Sequence, residues 1–220
     1  MSADSETPFA EERRSMVESQ LRNRGIRDER VLAAMVRVPR HEFLQPQRRS
    51  EAYADHPVVI GEQQTASQPY MIASMLQSAQ LQAGDRTLEV GAGSGYQTAL
   101  LAELAAQVIA VERYESLATQ VRETLGRLGY NNVTVITGDG SLGAPQFAPF
   151  DAIIVSAAAP RIPPALVQQL APGGRLVVPV GDAQGQVLQA VTRHPNGSLT
   201  VRNIEGCKFV PLIGQQGFQE

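Results

Sequence analysis

The chain has 220 residues, 43% hydrophobic and 19% charged, with a formal net charge of −3. At this length about 70% of the unfolded surface can be buried, so a self-sufficient core is expected. The acidic balance argues against a nucleic-acid binder that relies on phosphate neutralisation, and no run approaches the ~20 apolar residues of a membrane span.

Residues 8 to 23 read as a helix with Phe9, Met16, Val17 and Leu21 on one side. A second helix is predicted from an Asp28 N-cap through ERVLAAMVRV to Pro39. PRHEFLQPQRRSEAYADHP is punctuated by proline and reads as irregular. Residues 1–57 are therefore expected to form a helical module packed on a main domain of residues 58–220. The polar stretch IGEQQTASQPYM, residues 60–71, holds amides and hydroxyls but no His, Cys or Lys. It reads as a loop leading into a helix with Ser67 as N-cap and Pro69 in the first turn.

From there strands and helices alternate: RTLEV, GYQTALLAELAA, QVIAVE, ESLATQVRETLGRLG, NVTVIT, FDAIIVSA, PPALVQQL and GGRLVVPV. The strands are continuous Val/Ile/Leu runs, as expected for a parallel sheet covered on both faces. The end breaks the rhythm, with two strand-like runs around Asn196-Gly197, a hairpin signal because both residues tolerate positive φ. The expected fold class is α/β: a doubly wound, mostly parallel, Rossmann-like sheet with a terminal antiparallel hairpin.

The sharpest motif is LEVGAGSGY, running from Leu88 to Tyr96 between a strand and a helix. Gly91, Gly93 and Gly95 allow a tight turn and close approach to a ligand at the helix start. The G-x-G-x-G spacing differs from the G-x-G-x-x-G of dinucleotide sites. Glu89, just before the first glycine, suits a ligand carrying ammonium and sulfonium charges better than a pyrophosphate. Glu112 closes the next strand, where a carboxylate can accept from both hydroxyls of a ribose. Asp139 and Gly140, in TGDGS, follow the third strand, where a carboxylate can accept from an adenine amino group. These successive strand ends resemble a class I S-adenosylmethionine-dependent methyltransferase.

IGEQQTASQPYM, LEVGAGSGYQTA, GDGSLG, FDAIIVSAAAP, LAPGGRLVVPVG and FVPLIG, with VPRHEF and DHPVVIG before them, resemble the protein-L-isoaspartate O-methyltransferases in order and spacing. The resemblance implies methyl transfer from S-adenosyl-L-methionine, leaving S-adenosyl-L-homocysteine, to the α-carboxylate of isoaspartyl residues in damaged proteins or peptides. The ester then collapses to a succinimide. It also implies Ser67 as the active-site residue, with Gln64 and Thr65 beside it and Tyr96 in the cofactor motif. A carboxylate with a pKa near ~4 is already ionised at neutral pH, so no general base is required. Hydroxyls and amides then suffice for alignment.

The family's usual G-x-G-Q-T-I-S is altered: Gln63 replaces a glycine and Ala66 an isoleucine. Ser141 and Ala144 stand in the stretch where bacterial relatives often carry Trp, and Lys208 replaces an arginine. Two alternatives stay open, a methyltransferase for another peptide carboxylate and a non-catalytic cofactor-binding module. His41, His56 and His194 have no metal-site spacing. The lone Cys207 allows no intramolecular disulfide. The polar N-terminus lacks the apolar core of a signal peptide. Together these lead to the expectation of a cytoplasmic monomer with no nucleic-acid or membrane partner.

Overall fold

The structure, a computed structural model, describes residues 8–219; residues 1–7, read above as lacking an apolar leader, lie outside that range. Helix α1, Pro8–Met16, continues through a π turn at Val17–Leu21 and a 3-10 turn at Arg22–Arg24. The chain reverses at Gly25, whose φ of +99° requires glycine. Asp28 caps α2, Glu29–Arg37, accepting from Arg30 N at 2.9 Å and Val31 N at 3.3 Å. The proline-punctuated segment forms two 3-10 turns, Arg40–Phe43 and Pro46–Glu51.

Two local expectations change here. Residues 58–66 are a hairpin, with β1, Val58–Gly61, antiparallel to β2, Gln64–Ala66. Its tip carries positive φ at both Glu62 (47°) and Gln63 (57°), the requirement of the tightest hairpin turns, which usually recruit Asn-Gly. The tip is latched to the sheet domain, since Ser116 Oγ donates to Glu62 Oε1 at 2.7 Å. A side chain costs about 1 kcal/mol or more in the left-handed region. Gln63→Gly is therefore expected to raise stability by about 0.5–1 kcal/mol, read as a higher midpoint in chemical unfolding; a lower midpoint would show that the Gln63 side chain matters more than its backbone.

Ser67 is not an N-cap. Helix α3, Pro69–Ala79, has Gln68 at that position and no side-chain cap of its own. Pro69 has no N–H to cap, so the first donor needing a partner is Tyr70 N, and Asp55 Oδ1 accepts from it at 3.2 Å. A carboxylate of the N-terminal segment thus already occupies the positive end of α3.

The remaining elements are β3 (Arg86–Val90), α4 (Tyr96–Leu104), β4 (Gln107–Glu112), α5 (Glu115–Arg127), β5 (Val133–Thr137), β6 (Phe150–Val155), α6 (Pro164–Gln168), β7 (Leu170–Gly181), β8 (Gln186–Arg193) and β9 (Leu199–Cys207). The sheet order is β5-β4-β3-β6-β7-β8-β9, parallel from β5 to β7. Its order reverses between β3 and β6, so a crevice opens at their carboxyl ends. The terminal hairpin forms, but β8 is antiparallel to β7 and β9 to β8. The strand opposing the parallel set is therefore the penultimate one. At the hairpin turn only Gly197 has positive φ (83°); Gly197 N donates to His194 O at 2.9 Å, a wider turn than the Asn-Gly pair suggested.

Alternate residues of the buried strands feed two cores. Val108 and Ala110 join Met16, Leu21, Met35, Phe43, Leu76, Tyr96 and Leu100 on one face. Leu88, Val90, Ile109 and Val111 join Phe150, Leu166 and Leu170 on the other. The N-terminal helices thus share one core with α3 and α4. Among the described residues no helix is long and apolar enough to cross a membrane.

Candidate active site

After β3 the chain turns through Gly91 (φ +86°) and Gly93 (φ +54°) before entering α4. Any side chain would be strained there, so glycine is what allows the backbone to line a cavity. Gly93 N donates to Glu112 Oε2 at 2.8 Å, and Tyr114 N donates to Glu112 Oε1 at 3.0 Å. Two backbone donors therefore fix this 5%-exposed carboxylate at the end of β4. Gly140 closes the third strand end, where an added Cβ would lie 2.5 Å from Val90 Cγ1.

Glu89 is fully buried. Thr98 Oγ1 donates to its Oε2 at 2.5 Å and Gln97 Nε2 to its Oε1 at 3.1 Å. Gln97 Nε2 also donates to Ser156 Oγ at 2.8 Å, tying β3, α4 and the end of β6 together. Burial pushes the Glu89 carboxyl up to about 8, against the two side-chain hydrogen bonds and with a further push from Glu112. At neutral pH without a ligand it holds its proton, and a cation placed beside it would favour ionisation.

A cleft of about 860 Å³, counting space open to solvent, lies over this turn. Gln64, Thr65, Ser67, Glu89, Gly91, Gly93, Glu112 and Gly140 all line it. Three expected residues do not. Gly95 is spent on packing, because a Cβ there would meet Val121 Cγ1 at 3.0 Å. Tyr96, 1% exposed, turns into the N-terminal core, 5.8 Å from the Phe43 ring. The Asp139 carboxylate accepts from Ser141 N at 2.9 Å, Ser141 Oγ at 2.6 Å and Gln215 N at 2.8 Å. Burial would raise its pKa, but these bonds hold it below the usual range. It braces the C-terminal segment instead of facing the cleft.

That segment supplies a wall the sequence reading did not assign. Residues 210–213 line the cleft, held by Ala158 N donating to Val210 O and Leu212 N to Ala158 O, both at 2.8 Å. Gln97 and Ser156 also line it and were missed. Gln97 had a usable signal, one position beyond the motif on the same helix turn; the 158–210 pairing had no local one.

Among the described residues the cleft wall holds no His, Cys or Lys. Cys207 is half-buried outside it, and burial, with Glu205, pushes its thiol up to about 11, which makes it a poor nucleophile. A preset carboxylate suits vicinal hydroxyls, a buried second carboxylate suits a cationic group, and neutral donors face them. The residues present fit an adenosyl ligand with a charged sulfur and amine.

Residues 11–217 match the family model described as protein-L-isoaspartate(D-aspartate) O-methyltransferase. The protein-L-isoaspartate O-methyltransferase of Koribacter versatilis (strain Ellin345) is 54% identical over 212 residues, 96% of this chain and 95% of its own. Protein-L-isoaspartate O-methyltransferase 1 of Syntrophobacter fumaroxidans is 51% identical over 211 residues, 96% and 98% of the two chains. A solved structure described as a protein-L-isoaspartate O-methyltransferase from Plasmodium falciparum, in complex with S-adenosyl-L-homocysteine, is similar with a TM-score of 0.79. It is 30% identical and covers 91% of this chain and 98% of that one. Another protein-L-isoaspartate O-methyltransferase structure gives a TM-score of 0.81 at 28% identity, over 93% of this chain and 67% of that chain.

Proposed function

Since the chain belongs to the protein-L-isoaspartate(D-aspartate) O-methyltransferase family, we propose that the cleft over the glycine turn is where it methylates isoaspartyl carboxylates. The chain is an S-adenosyl-L-methionine-dependent protein carboxyl O-methyltransferase that starts the repair of isoaspartyl residues. The observation that carries the site reading is two carboxylates at neighbouring strand ends facing a wall of hydroxyls and amides without a base.

When bound, S-adenosyl-L-methionine supplies an electrophilic methyl group on a sulfonium. The substrate carboxylate arrives ionised, because its pKa near ~4 lies well below neutral pH. The residues therefore have to bind, align and exclude water. Glu112, already oriented by Gly93 N and Tyr114 N, accepts from the ribose hydroxyls. Glu89, placed beside a cationic group, would release its proton to solvent and become the counter-charge. Gly91, Gly93 and Gly140 let the backbone approach. Gln64, Thr65 and Ser67 supply neutral donors at the other wall, and the Ser67 hydroxyl is the group that meets the substrate carboxylate. Asp139 acts at one remove, by bracing residues 214–216 behind the wall at 210–213.

We further propose that residues 8–57 and the 58–66 hairpin form one side of the peptide groove, as their shared core with α3 and α4 suggests. The acting form is a cytoplasmic monomer with isoaspartyl proteins and peptides as partners and no nucleic acid. The net charge of −3 supports the lack of a nucleic-acid partner, and the single half-buried cysteine fits a reducing compartment.

Methyl transfer to matched isoaspartyl and aspartyl peptides tests the function. Transfer to the isoaspartyl peptide alone is expected; equal transfer to both would move the activity to another carboxylate, and none to either would leave a binding module. Glu112→Ala is expected to weaken S-adenosyl-L-homocysteine binding at least tenfold, since a buried charge-assisted hydrogen bond contributes about 1.5–3 kcal/mol. Calorimetry showing unchanged affinity would remove Glu112 from the site.

A further inference from the structure

Among the described residues the mechanism leaves one charge at 0% exposure unused. Arg40, at the head of the 3-10 turn Arg40–Phe43, is 0% exposed. Its Nε and Nη1 have no hydrogen-bond partner among the described residues. Its Nη2 donates to the carbonyl oxygen of Ser67 at 2.9 Å. Its guanidinium carbon lies 4.9 Å from the centroid of the Tyr96 ring, within cation–π range.

Burying a half-satisfied cation is unfavourable, and an apolar side chain of similar volume would often leave the protein as stable or more so. Stability alone therefore does not account for Arg40. Its partner does. Strand β2 ends at Ala66 and helix α3 begins at Pro69, so Ser67 and Gln68 lie outside both elements. Pro69 offers no N–H that could fix the junction from the helix side. Arg40 thus supplies a hold on the Ser67–Gln68 peptide plane, and Ser67 lines the cleft.

We propose that Arg40 is a positioning residue: braced on the Tyr96 ring, its guanidinium holds the Ser67 carbonyl and so sets the Ser67 hydroxyl for the substrate carboxylate. This accounts for Tyr96 having its place in the core and not in the cleft, since its ring is the guanidinium's rest. The inference rests on the Ser67 role proposed above.

The test is a double-mutant cycle read by single-turnover methyl transfer to an isoaspartyl peptide, with S-adenosyl-L-homocysteine affinity and thermal unfolding measured on each variant. Arg40→Met is expected to slow transfer about 5- to 30-fold, up to the loss of the hydroxyl itself, as a small misplacement of an aligned group can. Its affinity for S-adenosyl-L-homocysteine should stay within about threefold, and its melting temperature should not fall. Arg40→Lys should recover part of the rate, because an ammonium can reach the same carbonyl without the planar fork. On a Ser67→Ala background, Arg40→Met should cost less than about threefold more, since two residues acting as one unit do not lose independently. Losses that multiply, or a wild-type rate in Arg40→Met, would overturn the inference while the Ser67→Ala loss stands. If Ser67→Ala itself keeps the full rate, the Ser67 reading fails and this inference with it. Should Arg40→Met not fold, Arg40→Lys takes its place in the cycle, and its partial loss must likewise vanish on the Ser67→Ala background.

Discussion

Glu89→Gln is expected to stabilise the ligand-free protein above neutral pH and to cripple cofactor binding. The folded protein holds the Glu89 proton up to about pH 8, whereas an unfolded chain releases it near ~4.3. Between those values the folded state binds more protons than the unfolded state, so stability falls as pH rises. The contribution is fully present below about pH 4 and is gone above about pH 8, a difference on the order of 3–5 kcal/mol. Glutamine keeps the shape without the ionisation. The melting temperatures of variant and wild type should nearly coincide at about pH 4 and diverge with rising pH, the variant being higher by about 6–20 °C near pH 8. The same substitution removes the counter-charge for a cationic ligand, and S-adenosyl-L-methionine affinity should fall on the order of 100-fold. In the wild type that affinity should rise with pH up to about 8, because binding expels the proton; in Glu89→Gln the rise should vanish. Parallel melting curves across the whole range would show that Glu89 is ionised in the ligand-free protein.

Ser67→Ala carries the second large effect. Because Asp55, not Ser67, caps α3, the hydroxyl is free of a structural duty that would otherwise obscure the result. Loss of one preorganised neutral donor should slow single-turnover transfer by about 5- to 30-fold, or about 1–2 kcal/mol. Stability should hardly change, whereas loss of a true N-cap would cost about 1 kcal/mol. A drop in melting temperature with an unchanged rate would reverse both halves of this expectation.

The parts of the site that could be read in the sequence are those coded over a few residues. Gly91 and Gly93 follow a strand and open a helix, and Glu112 ends the next strand; the register of the parallel sheet sets Glu89 beside Ala110 and Val90 beside Val111, so these groups converge once the strands pair. The parts that could not be read depend on distant partners. Asp139 looks like a free strand-end acid until Gln215, 76 residues on, takes one of its oxygens. The Ser67 cap assignment followed local helix grammar, which cannot see Asp55, fifteen residues before the Tyr70 N–H that it caps. The 58–66 hairpin was missed because Glu62 and Gln63 adopt positive φ without the Asn-Gly pair that announces such turns. Tyr96 sits in a cofactor motif, yet the N-terminal core claims its ring. For Asp139, Ser67 and Tyr96 a tertiary contact decided between two roles that the local sequence allowed equally.

The central claim is that an already ionised carboxylate is aligned and methylated without a general base. Single-turnover rates with cofactor and isoaspartyl peptide both saturating test it most directly, saturation removing the Glu89 dependence from the profile. The rate should be nearly flat from about pH 6 to 8 and fall below about pH 5 as the substrate carboxylate protonates. A rate climbing tenfold per pH unit through neutrality would show a base at work and contradict the account.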